Sequence, residues 1–190
     1  MAQRYRRRGL DPTARLLFES VRGKGSTVLE IGGGVGEIEI ELLRAGAERA
    51  TNVELTPVYD NEADKLLREA GLEGRAERRY GDIVNEPTLA EPADVVVMHR
   101  VVCCYPDMPA LMDAAADRAR RALALSFPRD TWWMRLFARG FNAWRRLRRD
   151  DFRFFVHPPA GILAAAAAHG LHVTRDHEGR IWRIAALERP

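Results

Sequence analysis

No apolar run in this chain approaches the roughly 20 residues that a helix needs to cross a bilayer, which argues against an integral membrane protein. Met1 to Leu10 carries the positive charge of a secretory leader, but no apolar stretch or small-residue cleavage site follows it. The expectation is a cytoplasmic protein. Cysteine is almost missing: Cys103 and Cys104 are the only ones, and neighbours in sequence rarely form an unstrained disulfide, which fits a reducing compartment. There is no repeat, linker-like stretch or break in composition, so residues 1–190 are expected to form one domain. A chain of this length buries roughly 70% of its unfolded surface, and 46% hydrophobic with 30% charged residues is ordinary for a globular protein. Charge of one sign is not in large excess, since 30 Lys and Arg against 27 Asp and Glu leave +3. The arginines nevertheless cluster, at Arg6, Arg7 and Arg8 and again at Arg145, Arg146, Arg148 and Arg149. A solvated face is the expected meaning of each, although either group suits phosphate or anionic lipid.

What the chain does contain is an alternation of strand and helix signals. Asp11 and Pro12 resemble an N-cap and first helical residue, and Leu16, Leu17 and Val21 continue a helix over 12–22. Residues 27–31 (TVLEI) form a β-rich run that breaks into glycines, and 35–45 carry Ile38, Ile40, Leu42 and Leu43 at helical spacing. Further strands are expected at 50–55, 76–80, 93–98 and 122–127. Helices fall between them, one capped by Thr56-Pro57 and stopped at Gly71 and one over 107–121. An alanine-rich helix over 160–169 and two strands, 171–176 and 180–187, around Glu178-Gly179 close the chain. Such alternation predicts an α/β, doubly wound and mainly parallel seven-stranded sheet with a C-terminal antiparallel strand pair. Residues 131–147 interrupt it with an amphipathic helix bearing Trp133, Phe137, Phe141 and Trp144 on one side and arginines on the other. It is expected to be a helical cap.

The sharpest local signal is Glu30-Ile31-Gly32-Gly33-Gly34-Val35-Gly36, where the first of these strands meets a helix. Glycines let the backbone turn tightly and approach a ligand closely, and the helix start supplies free N–H groups. A dinucleotide fingerprint beginning at Gly32 would need glycine where Glu37 stands, and that carboxylate would repel a pyrophosphate. A phosphate-binding loop would need an earlier glycine and a Ser or Thr after Gly23-Lys24, but Gly25 follows.

The remaining pattern, an acid followed by G-x-G-x-G, resembles motif I of class I S-adenosylmethionine-dependent methyltransferases, whose fold is Rossmann-like. The methyl donor has an ammonium, a carboxylate and a sulfonium but no phosphate, so a nearby acid suits it. The resemblance implies that Gly32, Gly33, Gly34 and Gly36 line its methionyl and ribose part, with Glu30 orienting the loop or reaching the ammonium through water. Glu54, at the end of the second strand, is the expected ribose anchor, and Leu55 would touch adenine. Gly81-Asp82 resembles the family's adenine contact, with Asp82 accepting from the exocyclic amine and Ile83 packing on the ring.

The segment from His99 to Asp107 follows the fourth strand and matches the stretch that lines the methyl-donor cleft in this superfamily, so His99 is expected beside the donor as well. An activated sulfonium leaves much of the work to positioning and desolvation of the acceptor. His99 and Tyr105 are the candidate catalytic residues, to orient an acceptor or, for His99, to take a proton near neutral pH. No metal is expected: His99, Cys103 and Cys104 match none of the usual structural zinc spacings. Base methylation of nucleic acid is not expected either, because His157-Pro158-Pro159 follows the wrong element and lacks the aromatic residue of the amino-methyltransferase motif. Val101 to Asp107 and Ser126-Phe127 with the aromatic insertion are similar to magnesium-protoporphyrin O-methyltransferases. Together these features imply methyl transfer to a small, apolar or aromatic acceptor. The alternatives are a non-catalytic cofactor-binding module and a nucleic-acid methyltransferase. The aromatic and cationic sides of the cap would also suit peripheral contact with a membrane.

Overall fold

The valine run before His99 shows how the sheet is built. In β4 (Ala93–His99), Val95 and Val97 join the core on one face of the sheet while Val96 and Met98 join the core on the other. Alternate side chains of a strand point to opposite faces, so an unbroken apolar run is what a strand covered on both sides requires. β5 (Ala119–Pro128) repeats the division, with Ala122 and Ala124 on one face and Leu123, Leu125 and Phe127 on the other. The computed structural model describes residues 1–190.

With β1 (Thr27–Ile31), β2 (Arg49–Glu54), β3 (Ala76–Tyr80), β6 (His172–Glu178) and β7 (Trp182–Glu188), these strands form a seven-stranded sheet in the order β3-β2-β1-β4-β5-β7-β6. β1 to β5 run parallel, and β7 lies antiparallel between β5 and β6. This is the expected doubly wound, mainly parallel arrangement, with the C-terminal antiparallel pair. A three-residue connection, residues 179–181, joins that pair, where Gly179 N–H donates to the Trp182 carbonyl at 2.9 Å.

On one face α2 (Pro12–Val21) and α3 (Glu37–Arg44) supply Leu17, Val21, Ile38 and Leu42. On the other, α5 (Met108–Arg118) and α7 (Pro159–Ala168) supply Leu111, Met112, Ile162 and Ala166. Asp11 caps α2 as expected, accepting from Ala14 N–H at 2.9 Å. The structure differs at Thr56, which makes no capping bond. Pro57–Tyr59 forms a 3₁₀ turn there, and α4 (Asp60–Ala70) follows it.

Two further elements change the sequence picture. The basic N-terminus is a helix, α1 (Ala2–Arg8), with Ala2 and Tyr5 buried. Tyr5 donates to Glu41, and Arg6 is held by Glu62 and Glu69, so this cluster is partly neutralised within the molecule. α6 (Trp132–Leu147) is the expected cap helix, with Thr131 as N-cap, but only Met134 and Ala138 on it are buried. Of the aromatic side, Trp132, Phe137 and Trp144 are exposed, while Phe141 packs on Phe152 and Phe154. The helix meets the body along Met134 and Ala138, and periodicity alone does not say which stripe is turned inward.

Candidate functional site

The strand order reverses between β1 and β4, the place where open α/β sheets bind ligands beyond the strand C-termini. A cavity of about 270 Å³ lies there. Each of the first four strands ends on it: Ile31 and Gly32 from β1, Val53 and Glu54 from β2, Gly81 and Asp82 after β3, and Arg100 and Val101 after β4. Leu55, Tyr59, Ile83, Cys104, Tyr105, Leu111 and Phe152 complete the wall.

The glycine loop passes beside this cavity, and its geometry explains the composition. Gly32 (φ 65°), Gly34 (φ 61°) and Gly36 (φ 76°) occupy the left-handed region that side chains disfavour. A Cβ on Gly32 would lie 2.6 Å from Val101 Cγ2, and one on Gly33 would lie 2.5 Å from Asn52 Nδ2. The loop therefore runs pressed between β4's end and the polar residues beneath it. Gly32 N–H donates to Val53 O at 2.8 Å, tying the loop to β2.

Glu54 is half-buried, and its Oε1 accepts from Gly34 N–H. Burial pushes its carboxyl above the usual range, and the Gly34 N–H opposes that shift. Arg78 on β3, which sequence reasoning missed, clasps the same loop: it donates to Gly34 O at 3.0 Å and pairs with Asp60 at 3.3 Å. Nothing in the local pattern Glu77-Arg78-Arg79 marks this arginine, because its role comes from a neighbour 44 residues away in sequence.

Glu30 is wholly buried and accepts from Glu39 N–H at 2.9 Å, in the first turn of α3, and it does not line the cavity. Burial and the neighbouring Glu39 push its carboxyl well above the usual range. Burial also raises Glu39, to about 7. The carboxyl of Glu39 and the side-chain amide of Asn52 face each other and have no other hydrogen-bond partner. Polar atoms so sparsely partnered are uncommon in a buried setting. They sit under the glycine loop.

At the opposite wall, Asp82 accepts from the Tyr105 hydroxyl at 2.9 and 3.1 Å, from Asn85 Nδ2 at 2.7 Å and from Val84 N–H at 3.0 Å. Burial and Asp82 push Tyr105 up to about 12, so its hydroxyl stays protonated and donates. Ile83 is buried, whereas Leu55 is exposed at the cavity's mouth. His157 lies 3.0 Å from the Tyr105 carbonyl and Phe155 N–H donates to Cys103 O at 2.7 Å, which fixes the strap that brings Phe152 to the mouth.

His99 does not line the cavity. Its side chain is 6% exposed, 4.0 Å from Asp11, with Nε2 unpartnered. Burial and the adjacent Arg100 lower its pKa to about 4, so the ring is neutral at physiological pH. Burial raises Asp11, but the Ala14 N–H and the neighbouring Arg100, His99 and Arg4 together hold it below the usual range. Arg100, also missed from sequence, does reach the wall. It adopts a left-handed backbone (φ 62°), which costs a non-glycine residue roughly 1–2 kcal/mol. Its N–H donates to Ser126 Oγ at 3.0 Å, its guanidinium pairs with Asp11 at 3.0 Å, and it rests 5.0 Å from the Trp182 ring. Cys103 and Cys104 are free thiols with sulfurs 3.6 Å apart.

A family model described as "Methyltransferase domain" matches residues 1–175. No curated protein sequence matches the chain. Among solved structures, magnesium protoporphyrin IX methyltransferase from Synechocystis PCC 6803 with bound S-adenosylhomocysteine superposes with a TM-score of 0.72 at 22% identity, over 93% of this chain and 80% of that one. An O-methyltransferase family protein from Burkholderia thailandensis gives 0.78 at 18% identity, over all of this chain but 57% of the other. Geranyl diphosphate C-methyltransferase from Streptomyces coelicolor A3(2) gives 0.71 at 13%, over 93% and 76%. At these identities the likeness establishes a shared fold.

Proposed function

Because the chain belongs to the methyltransferase-domain family, we propose that its cleft takes S-adenosylmethionine and transfers the methyl group to a small, apolar or aromatic acceptor. The observation that carries this reading is the convergence of Gly32, Glu54 and Asp82 on one cavity at the sheet's switch point, with the left-handed Gly34 and Gly36 following Gly32 outside its lining. The residues present fit the donor: a loop on which side chains would collide, a carboxylate at the end of β2, and apolar walls beside a second carboxylate. Bound there, the donor supplies a methyl group on a sulfonium.

Glu54 has one oxygen on Gly34 N–H, and the other is assigned to the ribose hydroxyls. Ile83, Leu55 and Val101 enclose the adenine. An ionised carboxylate offers about four acceptor sites, so Asp82 retains capacity for the adenine amine while Tyr105 and Asn85 hold it in place. Gly32, Gly34 and Gly36 bring backbone against the methionyl portion, over Glu30. Acceptor selection falls to Phe152, Tyr59 and Tyr105 at the mouth, aromatic surfaces that exclude water from the reacting atoms. Tyr105 acts by orientation, since a hydroxyl committed to Asp82 does not take a proton. His99, buried outside the cavity with its pKa lowered to about 4, is assigned no proton-accepting role, and the chemistry rests on positioning the acceptor.

Calorimetric titration with S-adenosylhomocysteine, followed by transfer from methyl-labelled donor into a panel of phenols, carboxylates and porphyrins, tests the reading. Saturable binding with label transfer to at least one acceptor class is expected. Absence of binding at millimolar ligand overturns the cleft assignment, and binding with no transfer to any acceptor favours a non-catalytic module.

A further inference from the structure

α6 presents to solvent the surface that an amphipathic helix ordinarily hides. At about 100° per residue, Trp132, Leu136, Leu147, Trp133, Trp144 and Phe137 occupy one arc of about 140°. They are 78%, 62%, 84%, 38%, 46% and 55% exposed respectively. A surface helix of a soluble domain turns such a stripe to the core, yet here Met134 and Ala138 fill that position. Scattered exposed apolar residues need no explanation, but a contiguous set on one helix marks an interaction surface.

The flank of the arc is cationic. Arg135, Arg139 and Arg146 follow one another along it, and Arg148 and Arg149 lie just beyond the helix end. Asp130 neutralises Arg135 and Asp150 neutralises Arg145, whereas Arg139, Arg146, Arg148 and Arg149 have no carboxylate partner. The Arg148 guanidinium lies 4.5 Å from the Trp144 ring, so charge and aromatic surface are presented together.

We propose that α6 docks the protein on an anionic lipid surface, lying in the plane of the interface with Trp132, Leu136 and Leu147 toward the acyl chains. An apolar arc beside a cationic strip is the pattern of interfacial helices, in which apolar burial and attraction to anionic headgroups act together. Charge decides against a second copy of this chain: a two-fold pair across this face would oppose the unpaired arginines of one helix to those of the other. The apolar arc decides against nucleic acid, because phosphate contacts use the arginines alone and leave Trp132, Leu136 and Leu147 in water. Docking would also set the cleft near the surface, since Phe141 packs on Phe152 at 6.1 Å and Phe152 lines the cavity's mouth.

Flotation with phosphatidylcholine vesicles, with and without phosphatidylglycerol, tests this on the full chain. Binding to the phosphatidylglycerol vesicles is expected, with a blue shift of tryptophan emission and weakening as salt is raised. Trp132→Asp combined with Leu136→Asp is expected to lower vesicle affinity by roughly tenfold or more, and S-adenosylhomocysteine affinity and melting temperature are expected to hold. Arg139→Glu with Arg146→Glu should remove the preference for anionic lipid. No vesicle binding, equal binding to neutral vesicles, or a lipid-free dimer that the double aspartate variant dissociates would each overturn the proposal. Polynucleotide binding with no vesicle binding would also overturn it.

Discussion

Glu54 and Glu39 sit close together beneath the glycine loop and carry opposite consequences. Glu54 faces the cavity and is assigned to the ligand, so Glu54→Ala removes a charged hydrogen-bond acceptor worth roughly 1.5–3 kcal/mol. Calorimetry should then show S-adenosylhomocysteine affinity falling by roughly ten- to a hundredfold; unchanged affinity would mean that the ribose binds elsewhere. Glu39 is buried beside Asn52, and burial outweighs that neighbour to push its carboxyl up to about 7 from an ordinary 4.5. A raised folded-state value means the folded protein binds this proton more tightly than the unfolded chain. The stability it contributes is full below about pH 4.5 and is lost as pH rises through about 7, and Glu30 shifts in the same direction. Thermal melts of Glu39→Gln across that window should fall less steeply with pH than those of the wild type; parallel slopes would remove Glu39 as the cause. The placement of Gly32, Glu54 and Asp82 at one end of the sheet was legible in sequence because each ends a strand or closely follows one. Arg78 and Arg100 were not, because each acts on groups that only the folded chain brings near.

Among the elements, alternation carried most of the information. Buried valines and leucines identify the central strands, and every expected strand is present, with ends shifted by a few residues. α1 was hidden because its stability lies in tertiary pairs, Tyr5 with Glu41 and Arg6 with Glu62 and Glu69, and its sequence reads only as charge. α6 was legible as an amphipathic helix, but not which side meets the body, since periodicity gives two faces without saying which is turned inward. Stability measurements separate the two cases. Phe127 on β5 is 1% exposed, and truncating a packed phenylalanine costs roughly 3–5 kcal/mol, so denaturant melts of Phe127→Ala should show a loss of that size. Trp132 is 78% exposed, and Trp132→Ala should leave the unfolding midpoint nearly unchanged. A loss at Trp132 comparable to that at Phe127 would mean that α6 is packed in solution.

At the scale of the whole molecule, the sheet's reversal between β1 and β4 gathers residues from four strand ends into one place, and doing so needs the entire parallel half of the fold. The chain offers a competitor: a cavity of about 340 Å³ at the opposite ends of the strands, lined by Gly23, Ser26, Asp94 and Arg121 among others. It lacks the glycine loop and the Glu54 and Asp82 carboxylates. A crystal structure of the protein soaked with S-adenosylhomocysteine distinguishes the two directly. The ligand is expected with its ribose on Glu54, its adenine between Ile83 and Leu55, and its methionyl group along Gly32 to Gly36. Density for the ligand in the Asp94 cavity, or a ribose without contact to Glu54, would contradict the assignment of the cleft.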